Sequence, residues 1–311
     1  MSDRRERLGF GCPARLAAAA VSVATAVCLA VTGCSAASSL AHSAASAQVP
    51  HLAVTGGGSS SSVVPSNPVG PPADPFEGTA ANGWANGAAG IVLPEANPIG
   101  GFTTAQVEYA YQTTRKLLIA GNLDKTTLLG GQPTAFADLL TNQERATFLS
   151  GLNKVGLNKQ GYPLSTRSWT TTFAPGDAQL IGSVIKVHGT MHAVAARSSN
   201  GGDELDVHLD YLFVYPVEPP HQPASWMRIV AEDQWTVTFA DWSGAATTFT
   251  PWVETGGSTS GSRCGTTDGY QHPDYPNQPG AHPSVPPTGK PINPYALGQS
   301  VSGLCDASTG T

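Results

Sequence analysis

The chain has 311 residues, a formal net charge of −6, only 12% charged residues, 35 glycines and 25 prolines. That length allows one domain with extensions or two small domains, and the composition suits loops and linkers more than a large core. The mild acidity gives no clustered basic face, which excludes a nucleic-acid footprint.

Arg4, Arg5, Arg7 and Arg15 flank an almost wholly apolar run from Leu16 to Val31, which ends in Thr32, Gly33 and Cys34. A basic start, a short apolar core and small residues before a cleavage point are the marks of a bacterial export signal. The run falls short of the about 20 residues that span a bilayer. Val31-Thr32-Gly33-Cys34 resembles the lipobox of bacterial lipoproteins, and the Ala-, Gly-, Thr- and Pro-rich, lysine-poor composition points to a high-GC, actinobacterial source. The resemblance implies diacylglyceryl transfer to the Cys34 thiol, cleavage before it, and acylation of the new amino group by a palmitate-like chain. Residues 1–33 then form a signal peptide, and several acyl chains hold the mature protein stably on the outer face of the cytoplasmic membrane. Ordinary secretion or an uncleaved anchor is the alternative. Cys12 and Cys28 lie in the signal, so Cys264 and Cys305 remain. In an exported chain these two most simply pair, a bridge worth roughly 4 kcal/mol before strain.

Residues 34–100 carry no sustained periodicity and are dominated by Gly, Ser, Pro and Ala. Such a segment buries too little apolar surface to offset its ordering entropy and is read as a disordered tether, about 45 Å across as a coil. Phe76, Trp84, Ile91, Val92 and Leu93 are the exception. Two readings stand for them: an arm docked on the domain, or isolated apolar residues in a linker.

The folded domain is expected over 101–255. Thr103 or Thr104 caps a helix whose apolar stripe runs Val107, Tyr111, Thr114, Leu118, and Gly121-Asn122 stops it. A second segment follows Pro133, and a third follows Thr141, with Glu144 placed for a capping box. After Gly161 the period changes to two. Ser165 to Phe173 reads as a strand, Leu180 to Tyr215 as a long hairpin turning at Ser198–Gly202, Ser225 to Ala240 as another strand, and Ala245 to Val253 as a short one. The pattern is α+β: N-terminal helices packed on a long-stranded antiparallel, curved sheet. The opening helix, the turn Ala120-Gly121-Asn122-Leu123-Asp124 and the later long strands resemble the nuclear-transport-factor-2-like superfamily, over about Phe102 to Phe239. The resemblance implies a cone-shaped fold whose members often lack activity, while some are isomerases, cyclases or dehydratases with an Asp or His in the cone. The chain departs from that pattern in having no clear strand between its first helix and the later ones. Residues 256–311, Pro-rich between Cys264 and Cys305, read as an irregular disulfide-closed segment laid over the domain, or as a projecting loop that displays Tyr270, Tyr275 and Tyr295.

Two clusters are weighed for chemistry. If the hairpin turns at Asn200, His192 faces His208 with Asp206 and Asp210 nearby, a set suited to Zn²⁺ or Cu²⁺; a solvated sheet face is the alternative, and no metal is assigned. Asp233 shares parity with the apolar Met227, Ile229, Trp235 and Val237. An unbroken strand places this carboxylate in an aromatic pocket with Trp169, Tyr211, Tyr215 and Trp235, where it could serve as a general base. A bulge at Glu232-Asp233 would instead turn both acids to water, and two adjacent acids favour that outcome. Nucleophile elbows, phosphate loops and Cys-x-x-Cys pairs are absent, so no catalytic residue or cofactor is assigned. The expected role is non-catalytic binding of an envelope protein or a small hydrophobic ligand. A small cone-fold enzyme using Asp233 is the alternative.

Overall fold

The computed structural model describes residues 70–159, 163–199, 201–241, 249–276 and 291–298. The signal segment, Cys34, most of the expected tether and Cys305 lie outside them. The described residues belong to one unit, Ser62–Thr311.

The chain enters through two short 3-10 turns, Ala80–Gly83 and Gly87–Gly90, separated by strand β1 (Ala85–Asn86). Helix α1 (Thr104–Asn122) begins at Thr103, whose hydroxyl accepts the Gln106 amide while the Gln106 side chain accepts the Thr103 amide. Its buried stripe includes Val107, Ala110, Tyr111, Thr114, Leu117 and Leu118. Three short helices follow without an intervening strand: α2 (Lys125–Leu128), α3 (Thr134–Ala137) and α4 (Asn142–Gly151). Thr141 caps α4 by accepting the Glu144 amide. Glu144 itself is buried and accepts the Val253 amide at 2.7 Å, so the residue that Thr141 caps also ties the helix to the sheet.

The sheet holds β2 (Gln179–Leu180), β3 (Lys186–Arg197), β4 (Asp203–Glu218), β5 (Met227–Ala240), β6 (Thr250–Glu254) and β7 (Gly257–Ser260). All pairings are antiparallel, in the order β1-β3-β4-β5-β6, with β2 on the end of β4 and β7 on β5. Arg197 pairs with Asp203 across the Ser198–Gly202 turn, and the ladder continues unbroken to Lys186 opposite Val214. Odd-numbered residues of β4 and β5 face the helices and fill the core with Leu205, Val207, Tyr211, Phe213, Tyr215, Ile229, Trp235, Val237 and Phe239.

Four features differ from the sequence reading. Ser165 to Phe173 is not a strand. Residues 166–169 form a 3-10 turn, and the following threonines spend their groups elsewhere: the Thr170 hydroxyl goes to the Arg167 carbonyl, and the Thr171 amide to the Gly121 carbonyl. Threonine hydroxyls offer such alternatives to a ladder. The first arm of the hairpin starts at Lys186 rather than Leu180, because Gly182 sits at φ +71° and separates the two stretches. The tether expected over 34–100 does not run through to the domain unpacked. Phe76, Ala81 and Ile91 are buried, and Arg115 holds this arm by donating to the carbonyls of Ala88 and Ile91. Beyond 255, residues Gly257–Ser260 supply a strand to the sheet. Residues after Gly261 then lie along 165–177, with the Gln271 amide on the Thr172 carbonyl and the Tyr275 hydroxyl on the Asp177 carbonyl.

The second half of β4 is buried on both faces from Tyr211 to Val217. Its outer face is covered by Phe76 and Ala81 from the arm, with Trp84, Tyr295 and Leu297 against them and Leu212, Val214 and Val230 beneath. A strand so covered loses its polar alternation, which is why only the first half of β4 alternates.

Candidate functional site

Asp233 faces the helices. Its register with Tyr211 on one side and Gly257 on the other is continuous, so Glu232-Asp233 makes no bulge and the two acids point to opposite faces. Asp233 is 9% exposed. The Nδ2 of Asn122, the last residue of α1, donates to Asp233 Oδ2 at 2.6 Å. Asn122 Oδ1 accepts the Thr171 hydroxyl at 2.7 Å, and the Tyr215 hydroxyl donates to the Asn122 carbonyl at 3.1 Å. One helix-terminal amide thus joins α1, the 170–174 segment, β4 and β5. Burial raises the Asp233 carboxyl from 3.8 to about 7, against the opposing Asn122 hydrogen bond and with a further push from Glu232. The same burial, beside the Asp233 charge, drives the Tyr215 phenol well above its ordinary value. A carboxyl that titrates near neutrality has the proton affinity of a general base.

The other expected pocket residues converge on the same core. Tyr211 pairs with Asp233 across the ladder and donates its hydroxyl to the Val92 carbonyl at 3.3 Å; burial pushes it up to about 12. Trp235 lies edge-on to Phe136 at 6.1 Å, Phe136 meets Phe148 at 5.2 Å, and Phe148 meets Trp169 at 5.5 Å. These rings meet edge-on or tilted in a packed row. A Cβ added at Gly121, beside Asn122, would stand 3.3 Å from the Trp235 ring. Two open surface hollows, each about 320 Å³, lie elsewhere: one between Leu93, Ala96, Glu108 and Tyr111, the other between Gly101, Ala196 and Asp203.

Sequence reasoning singled out Asp233 and missed Asn122 and Thr171. The signal for Asn122 was present, since it stands four residues after Leu118 and extends the buried stripe of α1 by one turn. On the outer face a carboxyl pair, Glu232 with Asp210, was also missed. Glu232 accepts from Gln234 Nε2 at 3.0 Å, Ser258 Oγ at 3.2 Å and the Gly298 amide at 3.1 Å. Burial raises both Glu232 and Asp210, and the charge of Asp210 raises Glu232 further.

His192 and His208 are direct cross-strand partners on the outer face, with ring centroids 5.4 Å apart. Among the described residues no group of three or more His, Cys, Asp or Glu side chains is placed to hold a metal ion. Cys264 is disulfide-bonded. Of the three tyrosines considered for display, Tyr275 is buried, and Tyr270 and Tyr295 are half-buried. Among the described residues no helix is long and apolar enough to cross a membrane. No protein-family model, curated protein or solved structure matches the chain at a significant level.

Proposed function

We propose that this chain is a lipid-anchored extracytoplasmic protein whose α+β unit binds an envelope protein or a small hydrophobic ligand without transforming it. The observation that carries the reading is the use made of Asp233. Its carboxylate is buried and held at 2.6 Å by Asn122, on the same strand face as the core residue Trp235. A general base needs a substrate proton within hydrogen-bond reach, and here the side chains occupy the neighbourhood of the acid. The export signal and the Cys34 motif support the location. Helices followed by a long-stranded antiparallel sheet support the likeness to the cone-shaped nuclear-transport-factor-2-like fold, whose members often lack activity.

One observation favours the second reading, an isomerase- or cyclase-type enzyme: burial brings the Asp233 carboxyl to about 7 on the helix-side face. The two separate by experiment. The exported, lipidated protein is extracted in mild detergent and weighed under native and denaturing conditions. Binding predicts a companion mass, protein or small molecule, that is lost on denaturation and is still present on Asp233→Asn. No companion mass under any extraction condition overturns the binding reading. A companion that the wild type converts and Asp233→Asn does not would establish the enzyme.

A further inference from the structure

We propose that His192 and His208 form an open, two-imidazole site for Cu²⁺ on the outer face of the sheet. The inference is independent of the lipid anchor and of the role of Asp233.

The two histidines sit directly opposite each other inside a twelve-pair ladder that runs from Lys186–Val214 to Arg197–Asp203. Cross-strand partners carry their side chains on one face, with Cβ atoms about 5 Å apart. The imidazoles therefore rise side by side, with centroids 5.4 Å apart and planes inclined at 40°. Two nitrogens bound cis to one metal at about 2.0 Å each stand about 3 Å from one another. His192 is exposed, so its side chain is free to rotate toward that separation, while the strand pairing fixes the two Cα positions.

The second element is orientation. His208 Nδ1 lies 3.0 Å from Thr236 Oγ1, on the next strand in the same row. With the proton on Nδ1 donated to that hydroxyl, Nε2 presents its lone pair away from β5. This is the arrangement in which an outer partner fixes the tautomer and ring of a metal-binding histidine. His208 is half-buried and held, while His192 is exposed and adaptable, so one arm is preorganised and the other closes on the ion.

The donor set then selects the ligand. Two neutral imidazoles without a thiolate suit borderline divalent ions, and Cu²⁺ binds such donors most strongly of the first-row series. Asp206 and Asp210 stand two residues to either side of His208 on the same face, and their charge favours a cation there. Asp206 Oδ1 accepts from Thr238 at 2.7 Å. The remaining positions on the ion fall to water or to a donor from another molecule, because no third side chain of the described residues completes the set.

The test uses the full chain in detergent, titrated with Cu²⁺ against glycine as competitor and read by electron paramagnetic resonance. A spectrum with nitrogen coupling from two imidazoles is expected. His192→Ala and His208→Ala should each weaken binding by about tenfold or more, since either leaves a single arm, and Thr236→Val should weaken it a few-fold. His188→Ala, four residues along the same face, should leave it unchanged. Native circular dichroism confirms that each variant is folded. Undiminished affinity in His192→Ala or His208→Ala, or loss of the signal in His188→Ala, overturns the proposal.

Discussion

Asp233 and Asn122 are a buried pair joined at 2.6 Å. The folded-state pKa of Asp233 is raised from 3.8 to about 7. The folded protein therefore holds a proton that the unfolded chain gives up. The stabilisation is complete below about pH 4 and is lost as pH rises toward 7, at about 1.4 kcal/mol for each pH unit in the window. Wild-type unfolding free energy, followed by urea titration, should decline over that range and level above it. Asp233→Asn is expected to flatten the decline and to exceed wild type at pH 8; an unchanged slope refutes the assignment. Asn122→Ala strips partners from Asp233 and Thr171 at once and is expected to cost about 3 kcal/mol or more. The parity of Asp233 was readable because it shares the odd face with Ile229 and Trp235. The neighbouring Glu232 pointed to a bulge instead, because sequence does not show that the opposite face has its own polar partners in Gln234 and Ser258.

Elements divide by how local their causes are. Helix α1 and the β3–β4 hairpin were legible because capping, a 3.6 period and the alternation of β3 and the first half of β4 all act within a few residues. The Thr-rich 165–173 stretch was not, because Thr171 at its centre answers to Asn122 and Gly121, some 50 residues away. The arm and the tail were left open for a similar reason. Phe76 and Leu297 look like linker residues until the far side of the sheet is placed beneath them. The tail is pinned by His272, which lies 2.7 Å from Asp177 and 3.1 Å from Asp268. His272→Ala is expected to cost about 1 kcal/mol at these partly exposed sites and to speed proteolysis after Gly261, measured by limited digestion. Phe76→Ala removes a fully packed ring from the arm and is expected to cost about 3 kcal/mol by thermal unfolding.

At the scale of the whole molecule, location and cross-linking are the testable claims. Cys34→Ala is expected to move the protein from the membrane to the soluble fraction after export; equal retention would refute the lipid anchor. Cys264 is bridged, and Cys264→Ser should lower stability by about 2–4 kcal/mol, provided that unfolding is compared under oxidising conditions.

The double covering of β4 has a temporal consequence. Arg228 donates to the Pro75 carbonyl and Lys186 to the Trp84 carbonyl, joining groups 153 and 102 residues apart. Tyr295 meets Trp84 at 6.0 Å. A chain that emerges from its N-terminus presents the arm first, yet the arm has nothing to rest on until β3, β4 and β5 exist. It gains its last neighbours only when Tyr295 and Leu297 arrive. Closure over such long loops is slow, so the unit is committed late. The outer layer then behaves as one cooperative patch fastened from both ends of the chain, and amides of Leu212, Val214 and Val230 should exchange together when either end is loosened.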